Sequence, residues 1–229
     1  MESLPPDELA RIPLFSDVDP ADLRTIASSS RTLTVRKGEV VVEAGDVHRA
    51  FYYVHQGSVQ LVVSSADADQ KVISLVGAGQ TFGDALLFTG RPYPVSAVAL
   101  CATTLARIPH EPVLRLAEHS PGFALRMAGG LARRLHQLVS DVESYALHDG
   151  TQRVQRYLTE LAAPDSGAGP ALPARITLPA DKGVIASRLS LTPETFSRIL
   201  RRLSDSGALT VDGRHITLLR TQGQGTGLL

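Results

Sequence analysis

The sequence predicts an α+β protein in three consecutive parts: an N-terminal β-roll, a long dimerisation helix and a C-terminal winged helix-turn-helix. Three observations predict it. Short β-branched runs separated by glycines occupy the chain to about Leu105, an apolar stripe at heptad spacing follows from Ala124 to Tyr145, and a helix-turn-helix pattern with a turn at Asp212-Gly213 closes the ordered part.

The β-roll is read over residues 1–110. A short helical stretch runs from Pro20 to about Ser28, and strands follow at Thr32 to Val35, Val72 to Val76, Val95 to Leu100 and Thr104 to Ile108. Val59, Leu61 and Val63 alternate with Ser58, Gln60 and Val62, the pattern of a half-buried strand. Glycines between these runs, among them Gly57, Gly77, Gly79, Gly83 and Gly90, supply the turns of a closed roll or barrel.

Residues 111–147 form the dimerisation helix, with a break near Ser120-Pro121-Gly122. Ala124, Ala128, Leu131, Leu135, Leu138, Val142 and Tyr145 are spaced 4, 3, 4, 3, 4, 3. Such a stripe either packs on the β-roll of its own chain or pairs with a second copy. Arg133, Arg134, Gln137, Asp141 and Glu143 flank it closely, so the apolar face is narrow, which favours a parallel homodimer seam through Leu131, Leu135, Leu138, Val142 and Tyr145.

His148-Asp149-Gly150 interrupts the pattern and reads as a hinge, and residues 148–220 form the last domain. A helix is expected from Thr151 to Ala163, a loop over Pro164 to Pro170, two helices at about Asp181 to Leu189 and Pro193 to Asp205, and a hairpin of Ala208 to Val211 with His215 to Leu219. Residues 221–229 read as a disordered tail. In the helix-turn-helix, Ala186 lets two helices approach, Ser190 sits in the turn, and Thr192 with Pro193 starts the second helix. One face of that helix, Phe196, Ile199, Leu200 and Leu203, is core. The other carries Glu194, Ser197, Arg198 and Arg201, the placement by which a recognition helix meets base edges in a major groove.

Composition bounds the remaining possibilities. The chain has 229 residues, 43% hydrophobic and 20% charged, enough for one large or two small soluble domains. No apolar run approaches a membrane span, and the start, Met1-Glu2-Ser3-Leu4, lacks the features of a secretory signal, so the expected location is the cytoplasm. The single cysteine, Cys101, excludes an internal disulfide and a thiolate-held iron-sulfur cluster. Net charge is zero, yet Lys182, Arg188, Arg198, Arg201 and Arg202 face one acid, Glu194, within a short segment. No G-x-S-x-G, H-E-x-x-H or C-x-x-C occurs, and Gly77-x-Gly79 lacks the context of a nucleotide loop, so nothing points to an enzyme. A metal-holding barrel enzyme would need inward histidines, for which His48 and His55 are a poor match, and a metabolite-binding roll acting through a protein partner is the other competing reading.

The order of these parts, with Pro193-Glu194-Thr195-Phe196-Ser197-Arg198, resembles the Crp/Fnr superfamily of bacterial transcription regulators from about Leu14-Phe15 to Leu219. The resemblance implies a cyclic-nucleotide-binding-like β-roll and a homodimer that binds double-stranded DNA and meets RNA polymerase. Glu194, Ser197 and Arg198 match the Fnr type, which reads TTGAT half-sites in an inverted repeat. Phosphate-contacting positions of the family fall on Lys182, Thr192, Thr195 and Arg214, and Arg201 joins them from the exposed helix face.

The resemblance also assigns an effector pocket to Phe82, Gly83, Asp84, Val95, Ser96, Leu135 and Leu138. Cyclic-AMP-binding members carry Gly-Glu and Arg-Ser pairs where this chain has Gly83-Asp84 and Val95-Ser96, and a Thr-Ser pair where it has Leu138-Val139. A buried cyclic phosphate without its cation is costly, so the resemblance implies an effector other than cyclic AMP. Phe51-Tyr52-Tyr53, Arg153-Val154-x-Arg156-Tyr157-Leu158 and Leu191-x-Pro193 are similar to the nitric-oxide-responsive regulators of dissimilative nitrate respiration, the Dnr subgroup, which implies a haem sensor. Of seven histidines, His48, His55, His110, His119, His136, His148 and His215, His136 lies on the dimerisation helix and is the axial candidate.

Overall fold

A computed structural model describes residues 2–47, 49–64, 70–163 and 170–220 of the chain. The loop expected at 164–170 falls, but for Pro170, outside these residues, as do His48 and the tail expected at 221–229. The chain divides by its internal contacts into two compact units, Met1–Gln137 and Leu138–Leu229.

The first unit begins with β1 (Glu2–Ser3), α1 (Pro6–Ala10), a single 3-10 turn at Pro13–Phe15 and α2 (Pro20–Ser29), which Asp19 caps by accepting the Ala21 N–H. The roll then follows as β2 (Arg31–Val35), β3 (Val40–Val42), β4 (Ala50–Gln56), β5 (Ser58–Ser64), β6 (Gln70–Gly77), β7 (Thr81–Phe82), β8 (Ser96–Ala99) and β9 (Thr103–Pro109). Two antiparallel sheets result, ordered β1-β2-β9-β4-β7 and β3-β8-β5-β6. Val35, Val54, Val59, Val76, Phe82, Ala97 and Leu105 pack in one core cluster. Leu9, Phe15, Ile26, Phe51, Ile108 and Leu116 pack in another, together with Phe123 and Met127.

The alternation expected on β5 holds only as far as Leu61. A β-bulge between Leu61 and Val62 shifts the register against β6, so that Val62, not Val63, is buried with Val59. β1, β3, β4, β7 and α1 are additional to the elements expected from sequence. β4 sends Phe51 into one core cluster and Tyr52 into the other, so both faces are apolar and period 2 is lost.

α3 (His110–His119) and α4 (Pro121–Leu147) meet at the expected break, Ser120. Only the first turns of α4 are anchored in the first unit's core, through Phe123 and Met127. The division at Gln137/Leu138 falls within α4, whereas the sequence reading placed the boundary at 148. The reason lies in the last turns of α4, whose Ser140, Asp141 and Tyr145 bond to residues further along the second unit.

That unit continues with α5 (Gly150–Ala162), β10 (Ala174–Thr177), α6 (Lys182–Arg188), α7 (Pro193–Asp205), β11 (Leu209–Asp212) and β12 (His215–Leu218). β11 and β12 form the expected wing around a left-handed Gly213, and β10, which the sequence reading omits, adds a third strand beside β12. Val154, Leu158, Ile185, Phe196, Leu200, Leu209 and Ile216 are buried.

Candidate functional site

α7 is built to present one polar face. Thr192 caps it, its hydroxyl accepting the Thr195 N–H at 3.2 Å, and Pro193 occupies the first turn. Phe196, Ile199, Leu200 and Leu203 are buried, which leaves Glu194, Ser197, Arg198 and Arg201 exposed along the opposite face. The turn from α6 to α7 is tight: Leu191 N–H donates to Ala186 O at 2.9 Å, and Ser190 takes φ of 57°, the left-handed conformation the turn requires. Ala186 is fully buried.

The exposed face is electrostatically ordered. The Glu194 backbone N–H, the Thr192 hydroxyl and the charge of Arg198 hold the Glu194 carboxyl below the usual carboxylate range. Arg198 Nη2 donates to Thr195 Oγ1 at 3.3 Å, so its guanidinium lies beside the first turn. Fixed donors and a fixed acceptor on adjacent turns suit hydrogen bonding to base edges.

The other basic positions divide. Lys182 sits at the first position of α6, half-buried, and Arg201 is exposed. Arg214 donates through Nε at 3.1 Å and Nη2 at 2.6 Å to Leu178 O, so its guanidinium is largely committed to the wing. Arg188, counted in the basic patch by sequence, is turned inward instead and bonds to Asp141 and Tyr145. Its charge is thereby spent inside the unit.

In the first unit, Gly83 takes φ of 82°, and a Cβ there would lie 2.2 Å from the Tyr93 hydroxyl. Only glycine fits. Phe82 is buried and stacks on Tyr52 with ring centroids 5.0 Å apart, so it belongs to the core. Asp84 accepts from Thr81 Oγ1 at 2.9 Å and from Arg134, which also donates to both oxygens of Thr81. Arg134 was not among the expected pocket residues; its flanking position beside the heptad stripe was the available signal. Ser96 Oγ accepts the Ala44 N–H at 3.0 Å, and Val95 is half-buried beside it in sequence. Leu135, by contrast, is 63% exposed.

The rest of the stripe is likewise uncovered. Leu138 is 53% and Val142 66% exposed, Leu131 is half-buried, and the Tyr145 hydroxyl donates to Arg188 O, so Tyr145, expected in the seam, bonds within the second unit. His136 stands exposed on α4. Among the described residues no group of three or more His, Cys, Asp or Glu side chains is placed to hold a metal ion. A haem iron would need one imidazole, for which His136 is the expected residue, together with an apolar enclosure, and His136 stands exposed among the described residues. No helix among the described residues is long and apolar enough to cross a membrane.

Comparison with known proteins accords with this division. Residues 32–120 match the cyclic nucleotide-binding domain, and residues 152–223 match the Crp-like helix-turn-helix domain. The chain is 27% identical to the cyclic AMP receptor protein of Thermus thermophilus, over 90% of this chain and 94% of that relative. It is 34% identical to the crystallised DNR of Pseudomonas aeruginosa, covering 93% of this chain and 92% of that one with a TM-score of 0.50. FixK2 of Bradyrhizobium japonicum, 23% identical, shares the fold with a TM-score of 0.74 over 84% of this chain and 94% of that one.

Proposed function

The chain belongs to the Crp/Fnr family, whose members are DNA-binding transcription regulators and not enzymes, and from that premise we propose that it reads an inverted TTGAT repeat as a homodimer under the control of an effector other than cyclic AMP. The single observation that carries the reading is the exposed, capped face of α7, with Glu194, Ser197 and Arg198 on the two turns nearest its N-terminus. Glu194 accepts from cytosine N4, Arg198 takes guanine O6 and N7, and Ser197 lies between them. Lys182, Thr192, Thr195 and Arg201 meet phosphates around them, and Arg214 adds what its bonds to Leu178 leave free.

The exposed stripe of α4 supports the homodimer, because Leu135, Leu138 and Val142 at heptad spacing are the seam that a second α4 would cover. A two-fold pair of recognition helices then enters successive major grooves roughly 34 Å apart. The effector acts where Asp84 and Arg134 join the roll to α4, and a change there repacks the seam. Haem bound through His136, with nitric oxide as its gas, is the effector the resemblance carries, and its enclosure would have to come from the second copy. RNA polymerase is the downstream partner, and the cytoplasm the place of action.

The test is binding of the purified chain to a labelled duplex with two inverted TTGAT half-sites, against scrambled duplex, over a range of salt. Preference for the repeat with affinity falling steeply as salt rises is expected. Binding indifferent to sequence and salt would overturn the reading.

A further inference from the structure

The last turns of α4 and the helix-turn-helix are joined by side chains that DNA binding does not use. Arg188, at the end of α6, donates through Nη2 to the Asp141 carboxylate and through Nη1 to the Tyr145 hydroxyl at 2.7 Å, while that hydroxyl donates back to Arg188 O. The Arg188 and Asp141 side chains are only 15% and 20% exposed, so this pair is shielded from solvent screening. Burial opposes the Arg188 charge, but Tyr145 and Asp141 more than offset it and keep the guanidinium protonated.

Two further arginines brace the same joint. Arg153 donates to Leu189 O at 3.0 Å, the cap of α6, and to His148 O at 2.8 Å, at the end of α4. Arg156 donates to the Ser140 hydroxyl. The 148–150 junction, which the sequence marks as a hinge, is therefore stapled: Asp149 and Gln152 form a reciprocal capping box at 2.9 Å, and a Cβ on Gly150 would lie 3.0 Å from Leu191.

We propose that the Arg188–Asp141–Tyr145 clasp is the element that sets half-site spacing, by fixing the recognition helix rigidly to the seam-bearing turns of α4. The inference rests on the reading of the chain as a dimeric DNA-binding regulator. Leu138 and Val142 lie on the same turns as Asp141 and Tyr145, so whatever orientation the clasp gives α7 is an orientation relative to the two-fold axis. One added base pair moves a half-site by about 3.4 Å and turns it by about 35°. A rigid pair of α7 helices cannot follow both displacements, and the second half-site is then lost. Asp141, Tyr145 and Arg188 are thus positioning residues, acting on specificity without touching DNA.

The experiment measures affinity of the full-length protein for duplexes with an inverted TTGAT repeat whose spacer is varied one base pair at a time, and for a duplex with a single half-site. Wild type is expected to prefer one spacer over its neighbours by about tenfold or more, and Asp141→Asn, Asp141→Ala and Arg188→Gln to narrow this to about threefold or less with half-site affinity unchanged. Variants that keep the wild-type preference overturn the inference alone. So do variants that lose affinity for every duplex alike, the single half-site included, with a lowered unfolding temperature, because the clasp would then only support the fold. A wild type that binds every duplex equally overturns the DNA reading and the inference with it.

Discussion

The guanidinium of Arg134, on α4, bonds simultaneously to the carboxylate of Asp84 and to the carbonyl and hydroxyl oxygens of Thr81. A cation from the long helix therefore satisfies the acidic group of the roll, and an anionic ligand would have to compete with Asp84 for it. The Asp84 side chain is 15% exposed and that of Arg134 43%, so the pair is only partly screened.

Cyclic AMP is accordingly expected to leave the unfolding temperature unchanged even at millimolar concentration, since a ligand that binds the folded state raises stability in proportion to RT ln(1 + [L]/Kd). Arg134→Ala should lower stability by about 1 kcal/mol, because the Asp84 carboxylate loses its cation and keeps only the neutral donors Thr81 Oγ1 and Ala85 N–H. A clear thermal shift with cyclic AMP in the wild type would count against the effector assignment.

Two histidines of the first unit make its stability depend on pH. Burial pushes the His55 imidazole down, with Glu8 pulling weakly the other way; burial likewise lowers His110, its bond to Ala50 opposing and the charges of Arg107 and Arg49 adding to the drop. Their Nε2 atoms are buried without a hydrogen-bond partner. Both groups stay neutral in the fold at pH values where the unfolded chain, ionising near 6.5, takes up protons. Their contribution is complete above 6.5 and is lost as pH falls below it. Urea midpoints between about pH 7.5 and 5, above the carboxylate range, should fall in the wild type and flatten in His55→Gln/His110→Gln. Parallel slopes in the two proteins would refute the assignment.

Base reading and phosphate contact separate by mutation. Glu194→Ala should relax preference at one position of each half-site, costing about 1 to 3 kcal/mol against the correct base only. Lys182→Ala should weaken binding to all sequences alike and reduce the salt slope by about 1. Selection from a randomised half-site reads both effects, and equal losses across the site in the two variants would count against the separate roles given to α6 and α7.

The helix-turn-helix was legible because its signals are local: a cap at Thr192, Pro193 after it, a small residue at Ala186, and an apolar face repeating through Phe196, Ile199, Leu200 and Leu203. The stripe of α4 was legible for the same reason, since heptad spacing survives without knowledge of what covers it. β4 was not legible, because Phe51 and Tyr52 serve different core clusters and erase the alternation that marks a strand. Nor was the burial of Val62, since a bulge leaves no mark in composition. Arg188 shows the limit most plainly: within its own segment it adds to a basic patch, and only the return of α6 to Asp141, 47 residues earlier, reveals that its charge is internal.

The seam makes its own prediction. Leu138→Glu places a charge on an exposed apolar position and so costs the single chain little, while in a dimer it sets two carboxylates into the interface. Sedimentation should show monomer in place of dimer, with affinity for the inverted repeat reduced by about 100-fold or more and far-UV dichroism unchanged. An unchanged dimer would move the interface off this stripe.

Haem binding is expected to depend on that dimer. His136 supplies a single imidazole from an exposed position, and a haem bound there needs apolar cover that a second α4 would bring. Anaerobic titration with haem is expected to give a stoichiometric Soret band that shifts with nitric oxide, and both His136→Ala and the monomeric Leu138→Glu should lose it. The second variant separates ligation from enclosure, since it keeps the imidazole and removes only the cover. A band that persists in His136→Ala would reassign the axial residue, whereas a flat titration of the wild type would remove haem from the mechanism and leave the Asp84–Arg134 pair as the place where another effector acts on α4.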